Sequence, residues 1–273
     1  MTGTESDGSM SAPSRTAVRD RLDRVTDPEL DRSIVELEYV DRIEIDGDRV
    51  AVEFTLPTAW CSPAFAWMMA VDARDEVESL SAVEAARITL REHMHETEIN
   101  RGVNEDLSFA EAFPDADGDV AVVRAELDEK ARVARQYDAV ETLLEAGLDA
   151  EAIVALRPRD LKRPEADGDD AAVGATADAT EAVAVYVRDR SFAVSVPAEP
   201  VERYLEKARE TDFVSGPDDV LFRTPEGEPI DANSFDLVHQ RGRLAQVNMS
   251  SQGGICDGLR EAREERLEEP ADD

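Results

Sequence analysis

The chain has 273 residues, of which 42% are hydrophobic, enough for one large or two modest cores. Its 63 aspartates and glutamates outnumber 30 lysines and arginines, so the formal net charge is −33. Such a charge argues against nucleic-acid binding through a basic face. Molar salt, in which the Debye length is about 3 Å, would screen the self-repulsion. Since the acidic residues are spread along the whole chain, the composition predicts a halophilic protein; a specific basic partner is the alternative.

Membrane and secretory classes are also disfavoured. No apolar run approaches the roughly 20 residues that a spanning helix needs. Residues 1–8 lack the apolar core of a signal peptide. The two cysteines, Cys61 and Cys256, lie far apart in sequence and do not make a disulfide framework. We therefore expect a cytoplasmic protein without a membrane anchor.

Residues 14–114 predict a small domain of the α+β class. Residues 1–13 are small and polar, and we expect a disordered tail. The apolar spacing then predicts helix, strand, strand, helix and strand, with one sheet covered by helices. These elements are a helix from Ser14, strands at 39–45 and 49–56, a helix from Pro63 to about Leu80 and a strand at 83–90. The following segment is expected to pack back on the domain through Ile99, Phe109 and Phe113.

The second half predicts a mixed α/β domain whose fold the sequence leaves open. Residues 115–122 are a linker candidate, the domain is expected over 123–267, and 268–273 form an acidic tail. A stretch rich in Ala, Asp and Gly at 165–181 predicts a mobile loop. The elements expected here are helices at 127–146, 200–209, 234–244 and 258–267, a short helix capped by Asp149, a hairpin at 182–187 and 192–196, and a strand at 220–222.

Cys61 lies where the apolar pattern changes from strand to helix. Ser62 is a candidate N-cap, and Pro63 suits the first helical position because its missing N–H would be unpaired there in any case. The unsatisfied N–H groups at a helix start favour an anion, so they would stabilise a thiolate. A thiolate ligates metal or attacks an electrophile; the alternative is a small apolar side chain packed under the helix.

Other polar residues admit two interpretations each. On a strand, His93 and His95 would face the same side and could bind a transition metal, although surface or packing roles are favoured. Asp27 and Glu29 could be acid/base groups or metal ligands, or Asp27 could cap a turn. Cys256 has flexible glycine neighbours, and a functional role is disfavoured. Of the histidines, His93 is the one we retain as a residue beside the site.

Several segments within residues 14–113 form an ordered pattern. They are Asp27-Pro28-Glu29, Ile34-Val35-Glu36-Leu37, the hairpin from Ile43 to Phe54, Thr55-Leu56, and Cys61 before a helix. In this order and spacing they resemble the iron–sulfur (metal–sulfur) cluster assembly factor family that includes PaaD and SufT. Two details depart from the family: Ser62 separates the cysteine from the usual proline, and Glu36-Leu37-Glu38 replaces Asp-Leu-Gly.

The resemblance implies a small α/β domain that helps deliver or install iron–sulfur clusters in client proteins. Cys61 matches the reactive cysteine of the family, and Asp27, Glu29 and Thr55 match the polar residues around it. The segment from His93 to Phe113 is similar to members associated with multicomponent monooxygenases. This similarity implies a client of the metal-dependent oxygenase type.

A cluster usually needs four ligands, mostly thiolates, and one well-placed thiol cannot supply them. Two copies of Cys61 could bridge a labile cluster in a homodimer, or Cys61 could contact a client or carrier during transfer. Either route predicts a transient cluster, with client apo-proteins and other iron–sulfur assembly proteins as partners, and no enzyme activity. The alternative is an adaptor that stabilises an enzyme complex without metal; a thiol enzyme ranks last, because neither histidine has a catalytic-dyad context.

The second half has a fainter resemblance, to the catalytic domain of tyrosine recombinases. It rests on the segments 143–148, 219–222 and 258–260. Asp149 stands where that family has its first arginine, Glu261 replaces a histidine, and no tyrosine follows Arg260. A domain with these replacements could not cut DNA, and the resemblance implies at most an interaction domain.

Overall fold

The computed structural model describes residues 12–116, 119–163, 182–187, 191–249 and 258. The chain divides into two compact units, with the boundary between Arg124 and Ala125 and the second unit ending at Ser250. No helix in these described stretches has the length and apolar character needed to cross a membrane. The predictions for the tail at 1–11, the loop at 165–181, Cys256, the 259–267 helix and the tail at 268–273 lie outside the described residues.

The first unit contains the expected helices and sheet, with two further short helices. Its elements are α1 (Arg15–Leu22), β1 (Thr26–Asp27), β2 (Arg32–Ser33), β3 (Val40–Asp46), β4 (Arg49–Thr55), α2 (Pro63–Glu78), β5 (Ala85–Arg91), α3 (Glu96–Asn104) and α4 (Phe109–Ala112). Ser14 caps α1 by accepting a hydrogen bond from the Ala17 N–H at 3.0 Å. Gly47, with φ of +63°, makes the tight turn between β3 and β4. The α+β class is confirmed.

The main sheet has the order β3-β4-β5. β3 and β4 pair antiparallel, whereas β4 and β5 pair parallel, and α2 connects the two parallel strands. Along β4, Val50, Val52 and Phe54 alternate with less buried residues and face the core. Because β4 and β5 are parallel, the loops that follow them leave from the same edge of the sheet.

Two asparagines of α3 cover the outer edge of the sheet at β5. The Asn100 side chain accepts from the Leu90 N–H at 2.7 Å and donates to the Leu90 carbonyl at 2.9 Å. Asn104, one helical turn later, makes the equivalent pair with Ile88 at 2.9 and 2.7 Å. The two side chains therefore satisfy backbone groups of β5 that would otherwise be an open pairing edge.

The segment after the sheet packs back on it as predicted. Ile99 is fully buried, and Phe109 and Phe113 are half-buried against the same core. Both phenylalanine rings meet the Trp67 ring edge to face, with centroids 5.6 and 6.2 Å away. The Ser108–Glu111 capping box fixes the start of α4 and so orients these rings.

The second unit combines helices with a small antiparallel sheet. Its elements are the part of α5 (Val120–Glu145) from Ala125 onward, α6 (Ala150–Ala155), a 3₁₀ turn (Pro158–Asp160), β6 (Leu161–Lys162), β7 (Ala182–Val187), β8 (Phe192–Pro197), α7 (Ala198–Glu210), a 3₁₀ turn (Ala232–Ser234) and α8 at 235–249. The sheet order is β6-β7-β8. Asp149 caps α6 by accepting from the Ala152 N–H at 2.8 Å. The predicted hairpin and the predicted Asp149 cap are confirmed.

Two predictions for this region differ from the structure. α5 begins at Val120 rather than Leu127, because the Asp119 carboxylate accepts from the Ala121 N–H at 2.9 Å and starts the helix early. The prediction of a strand at 220–222 is wrong, since none of the strands in the described residues includes this segment. The backbone of this segment makes hydrogen bonds outside any sheet. The Leu221 N–H donates to the Leu156 carbonyl, and the Leu221 carbonyl accepts from the Tyr204 hydroxyl.

Candidate functional site

Two loops meet at the edge where β4 and β5 end. The first, residues 56–62, follows β4 and carries Cys61; the second, residues 92–95, follows β5. The Met94 N–H donates to the Ala59 carbonyl at 3.1 Å, which ties the second loop to the first. The candidate site is therefore built by parallel strand pairing, which brings together segments about thirty residues apart.

Cys61 lies immediately before α2 and is half-buried against the core of the first unit. Its N–H donates to the Thr58 carbonyl at 3.4 Å. The helix begins at Pro63 with Ser62 at the N-cap position, as predicted. The Ser62 side chain, however, makes no capping hydrogen bond with the described residues. Pro63 has no N–H, and the N–H groups of Phe65 and Ala66 donate to the Ser62 carbonyl at 3.0 and 3.1 Å, so it is mainly the helix dipole that favours an anion near the cysteine.

His93 holds the backbone of Cys61 in place. Its Nε2 lies 3.0 Å from the Cys61 carbonyl oxygen, and its Nδ1 lies 3.2 Å from the backbone N–H of His95. Since a carbonyl only accepts and an N–H only donates, the ring is neutral with its hydrogen on Nε2. Burial lowers the pKa of His93, and His95 adds to the lowering, whereas the Cys61 carbonyl and Glu96 oppose it.

We expect His93→Gln to remove a stability loss that the wild type shows in mild acid. The folded-state pKa of His93 is depressed, so the unfolded chain takes up this proton first, at its ordinary pKa of about 6.5. The free energy of unfolding therefore falls as the pH drops below about 6.5, and stops falling below the folded-state pKa. Urea unfolding at about pH 7.5 and pH 5 measures this, and equal pH responses of the two proteins would contradict it.

Asp27 caps a turn, which is the structural one of its two interpretations. One carboxylate oxygen accepts from the N–H groups of Glu29 and Leu30 at 2.9 and 3.2 Å, and the other accepts from the Tyr39 hydroxyl at 3.3 Å. Burial raises the pKa of Asp27, and these three hydrogen bonds oppose the rise. Glu29 contributes its backbone N–H to this turn. Among the described residues, neither the Asp27 side chain nor the Glu29 side chain contacts Cys61.

Thr55 ends β4 at the same edge of the sheet. Its hydroxyl donates to the Asp41 carboxylate at 2.6 Å, and its N–H donates to the carbonyl of Tyr39 at 2.9 Å. Because Tyr39 also contacts Asp27, these residues form the frame below the two loops. They support the end of the sheet from which Cys61 is presented, rather than contacting the thiol.

The histidine pair does not have the strand geometry that would suit a metal. His93 lies in a loop and His95 is the N-cap residue of α3. Both ring nitrogens of His93 are used by hydrogen bonds, which supports its packing interpretation. Within the described stretches, no group of three or more histidine, cysteine, aspartate or glutamate side chains could hold a metal ion. Cys61 therefore does not belong to a complete ligand set there.

Sequence reasoning missed two exposed apolar side chains beside the thiol. Trp60, directly before Cys61, is 75% exposed, and Met94, directly after His93, is 53% exposed. Large side chains in such positions are typical of contact surfaces. The available signal was the presence of a tryptophan and a methionine inside short polar loops, where core packing does not require them.

A cavity of about 480 Å³ opens at the start of α2, directly after Cys61 in the chain. The start of α2 at Ser62, Pro63 and Ala64 forms one wall. The beginning of α3, the rings of Phe109 and Phe113, residues 114–116 and the start of α5 from Asp119 also line it. All these residues belong to the first unit.

Comparison with known families gives the context of this geometry. Residues 15–90 match a family model described as iron-sulfur cluster assembly protein. The first unit is similar to these iron–sulfur cluster assembly proteins. The predicted resemblance is thus confirmed over the stretch that contains Asp27, Glu29, Thr55 and Cys61, while His93 and the whole second unit lie beyond it. Neither the curated proteins nor the solved structures gave a match to the chain.

Proposed function

We propose that this protein assembles or transfers iron–sulfur clusters and matures a client protein, with Cys61 as the transfer ligand. The observation that carries the proposal is the position of Cys61, inside the stretch that matches the assembly family and at the uncapped start of α2. The cluster is cargo rather than a resident cofactor. A metal-dependent oxygenase is the proposed client, and the protein itself is proposed not to be an enzyme.

The transfer consists of two ligand exchanges without net redox change. The Cys61 thiol releases its proton to water, and the thiolate donates an electron pair to a cluster iron as a donor thiolate leaves and is protonated. A client thiolate then displaces Cys61, which regains a proton. The iron and sulfide oxidation states stay the same throughout. A ligand that must leave again suits a site with one thiol better than a complete four-thiolate site.

The surrounding residues have positioning roles in this proposal. His93 fixes the backbone of Cys61, and Asp27 and Thr55 hold the frame of the sheet edge. The remaining cluster ligands come from a carrier, from the client or from a second copy of the chain. The net charge of −33 supports work in a salt-rich cytoplasm, so experiments belong in molar KCl.

Cys61→Ala is expected to abolish cluster binding, since alanine cannot ligate iron. The purified protein is incubated with ferrous iron and sulfide without oxygen, and the sulfide-to-iron charge-transfer absorption and bound iron are measured. Cys256→Ala is the matched control and should bind as the wild type does. Asp27→Asn should also bind normally, because the amide is nearly isosteric with the carboxylate that holds the turn.

Three results separate the interpretations. Binding lost in Cys61→Ala alone supports transfer through this thiol. Binding that persists in Cys61→Ala, or that disappears equally in Cys256→Ala, contradicts the assignment. No binding in any protein, and no client maturation in a coupled assay with a cluster donor, would favour the adaptor function that needs no metal.

A further inference from the structure

The cavity beside Cys61 combines an apolar floor with an acidic rim. Phe109 and Phe113 stack with centroids 4.8 Å apart and form the floor, together with Val120 and Val123 of α5. Edge-to-face contacts with the buried Trp67 hold both rings. The floor is therefore a preformed surface, which lowers the ordering cost of binding.

The rim carries negative charge. Glu98, Asp115 and Asp119 line the cavity, and its described lining includes no lysine or arginine. The side chain of Glu98 is 44% exposed, and among the described residues it contacts one basic group, His95, whose Nδ1 lies 4.0 Å away. A carboxylate rim without lysine or arginine in its described lining, next to aromatic rings, favours a cation with an apolar stem, since it offers both charge pairing and ring contact.

The cavity and the exposed apolar pair are both connected to Cys61 through neighbouring residues of the two loops. Along the first loop, Trp60 precedes the cysteine and Ser62 follows it into the cavity wall. Along the second loop, Met94 is exposed and His95 lines the cavity. A segment bound in the cavity would therefore contact Ser62 and His95, which follow Cys61 and Met94 directly in the chain.

We propose that the cavity docks a client segment in which an aromatic or aliphatic side chain is followed by arginine. This inference rests on the proposed transfer function and identifies the chemistry of its partner. The apolar side chain contacts the phenylalanine floor, and the guanidinium pairs with the carboxylates of the rim. A second copy of this chain is a poor occupant, because its own carboxylates would meet this acidic rim.

The test uses two small probes and the full-length protein in molar KCl. N-acetyl-Phe-Arg amide and N-acetyl-Phe-Glu amide are titrated separately, and NMR shifts of the His95 ring and the Phe113 ring are followed. The arginine probe should shift both rings, and the glutamate probe should not. Glu98→Gln should weaken the arginine probe about threefold, since the pair with a half-exposed carboxylate is weak and partly screened in molar salt.

Glu105→Gln is the matched control, because Glu105 is exposed at the end of α3 and does not line the cavity. It should leave the affinity unchanged. Equal binding of the two probes, an unaffected Glu98→Gln variant, or shifts confined to residues away from the cavity would each overturn the docking proposal.

The docking proposal and the transfer proposal can fail independently, and the experiments distinguish the two failures. Cys61→Ala should bind the arginine probe normally, because Cys61 is not among the lining residues. Loss of probe binding with normal cluster binding rejects the docking surface alone. Probe binding without any cluster binding or maturation rejects the transfer function, and it makes the cavity the binding site of an adaptor.

Discussion

Gly102→Ala is expected to destabilise the first unit by about 1–2 kcal/mol. A Cβ atom at this position would lie 2.5 and 2.6 Å from two ring carbons of Trp67, and 2.9 Å from the Cβ of Ala112. Overpacking of this kind costs about 1–3 kcal/mol. The better helix propensity of alanine returns up to about 1 kcal/mol. The clash should win, because Phe109 and Phe113 also hold the indole ring.

Urea unfolding measures this effect, followed by tryptophan fluorescence where Trp67 is present and by far-UV circular dichroism in all variants. The chain has two tryptophans, Trp60 and Trp67, and both belong to the first unit. Trp67→Phe provides the coupled control, because a smaller ring leaves room for the new methyl group. Gly102→Ala should cost clearly less in the Trp67→Phe background. An equal cost in both backgrounds would show that the close approach to Trp67 is not the cause.

The local parts of the site followed from the sequence. Ser62-Pro63 predicted where α2 begins, and the hairpin was expected from its two strands, because both signals act through neighbouring residues. The change from strand to helix around Cys61 then placed the cysteine at a helix start. For these features, local backbone preference and tertiary structure agree.

The contacts between the two loops could not be predicted in the same way. The bond from His93 to the Cys61 carbonyl joins residues 32 positions apart, and it exists only because β4 and β5 pair parallel. The alternation of apolar and polar residues predicts which side of a strand faces the core, but it does not predict which strand it pairs with. The same holds for Asn100, whose pairing with the backbone of Leu90 depends on where α3 packs.

The start of α5 was predicted seven residues too late. The stretch before Val120 is rich in aspartate and glycine, which predicted a linker over 115–122. One of those aspartates, Asp119, is the residue that starts α5. Aspartate favours both loops and N-caps for the same reason: its carboxylate bonds nearby N–H groups. Composition alone therefore does not distinguish the two.

Arg132→Met is expected to stabilise the second unit by about 1–3 kcal/mol, although it removes a hydrogen bond. Arg132 is fully buried on α5, and burial lowers its pKa. Its Nη2 donates to the Pro225 carbonyl at 3.0 Å, and its guanidinium lies 3.5 Å from the centre of the Phe213 ring. Its Nε and Nη1 have no hydrogen-bond partner among the described residues. Methionine retains an apolar stem and removes the unpaired donors.

The sign of the effect follows from these opposing contributions. Two unpaired buried donors cost about 1–3 kcal/mol each, and the lost bond to Pro225 and the lost ring contact offset part of the gain. Replacing a buried ion pair with apolar side chains of similar volume is often neutral or stabilising by about 1–4 kcal/mol, and burying a charge without such a partner is costlier still. Urea, which is uncharged, is the suitable denaturant, and far-UV circular dichroism follows the helices of this unit.

Arg135→Met is the matched control on the same helix. Arg135 is also buried, but its Nη1 donates to the Arg203 carbonyl at 2.9 Å and lies 3.9 Å from a Glu206 carboxylate oxygen. Its removal should lower the unfolding midpoint, because it breaks satisfied interactions. Opposite signs for the two variants would show that pairing, rather than burial of charge alone, decides the contribution of each arginine. A lower midpoint for Arg132→Met would mean that its contacts with Pro225 and Phe213 outweigh its unpaired donors.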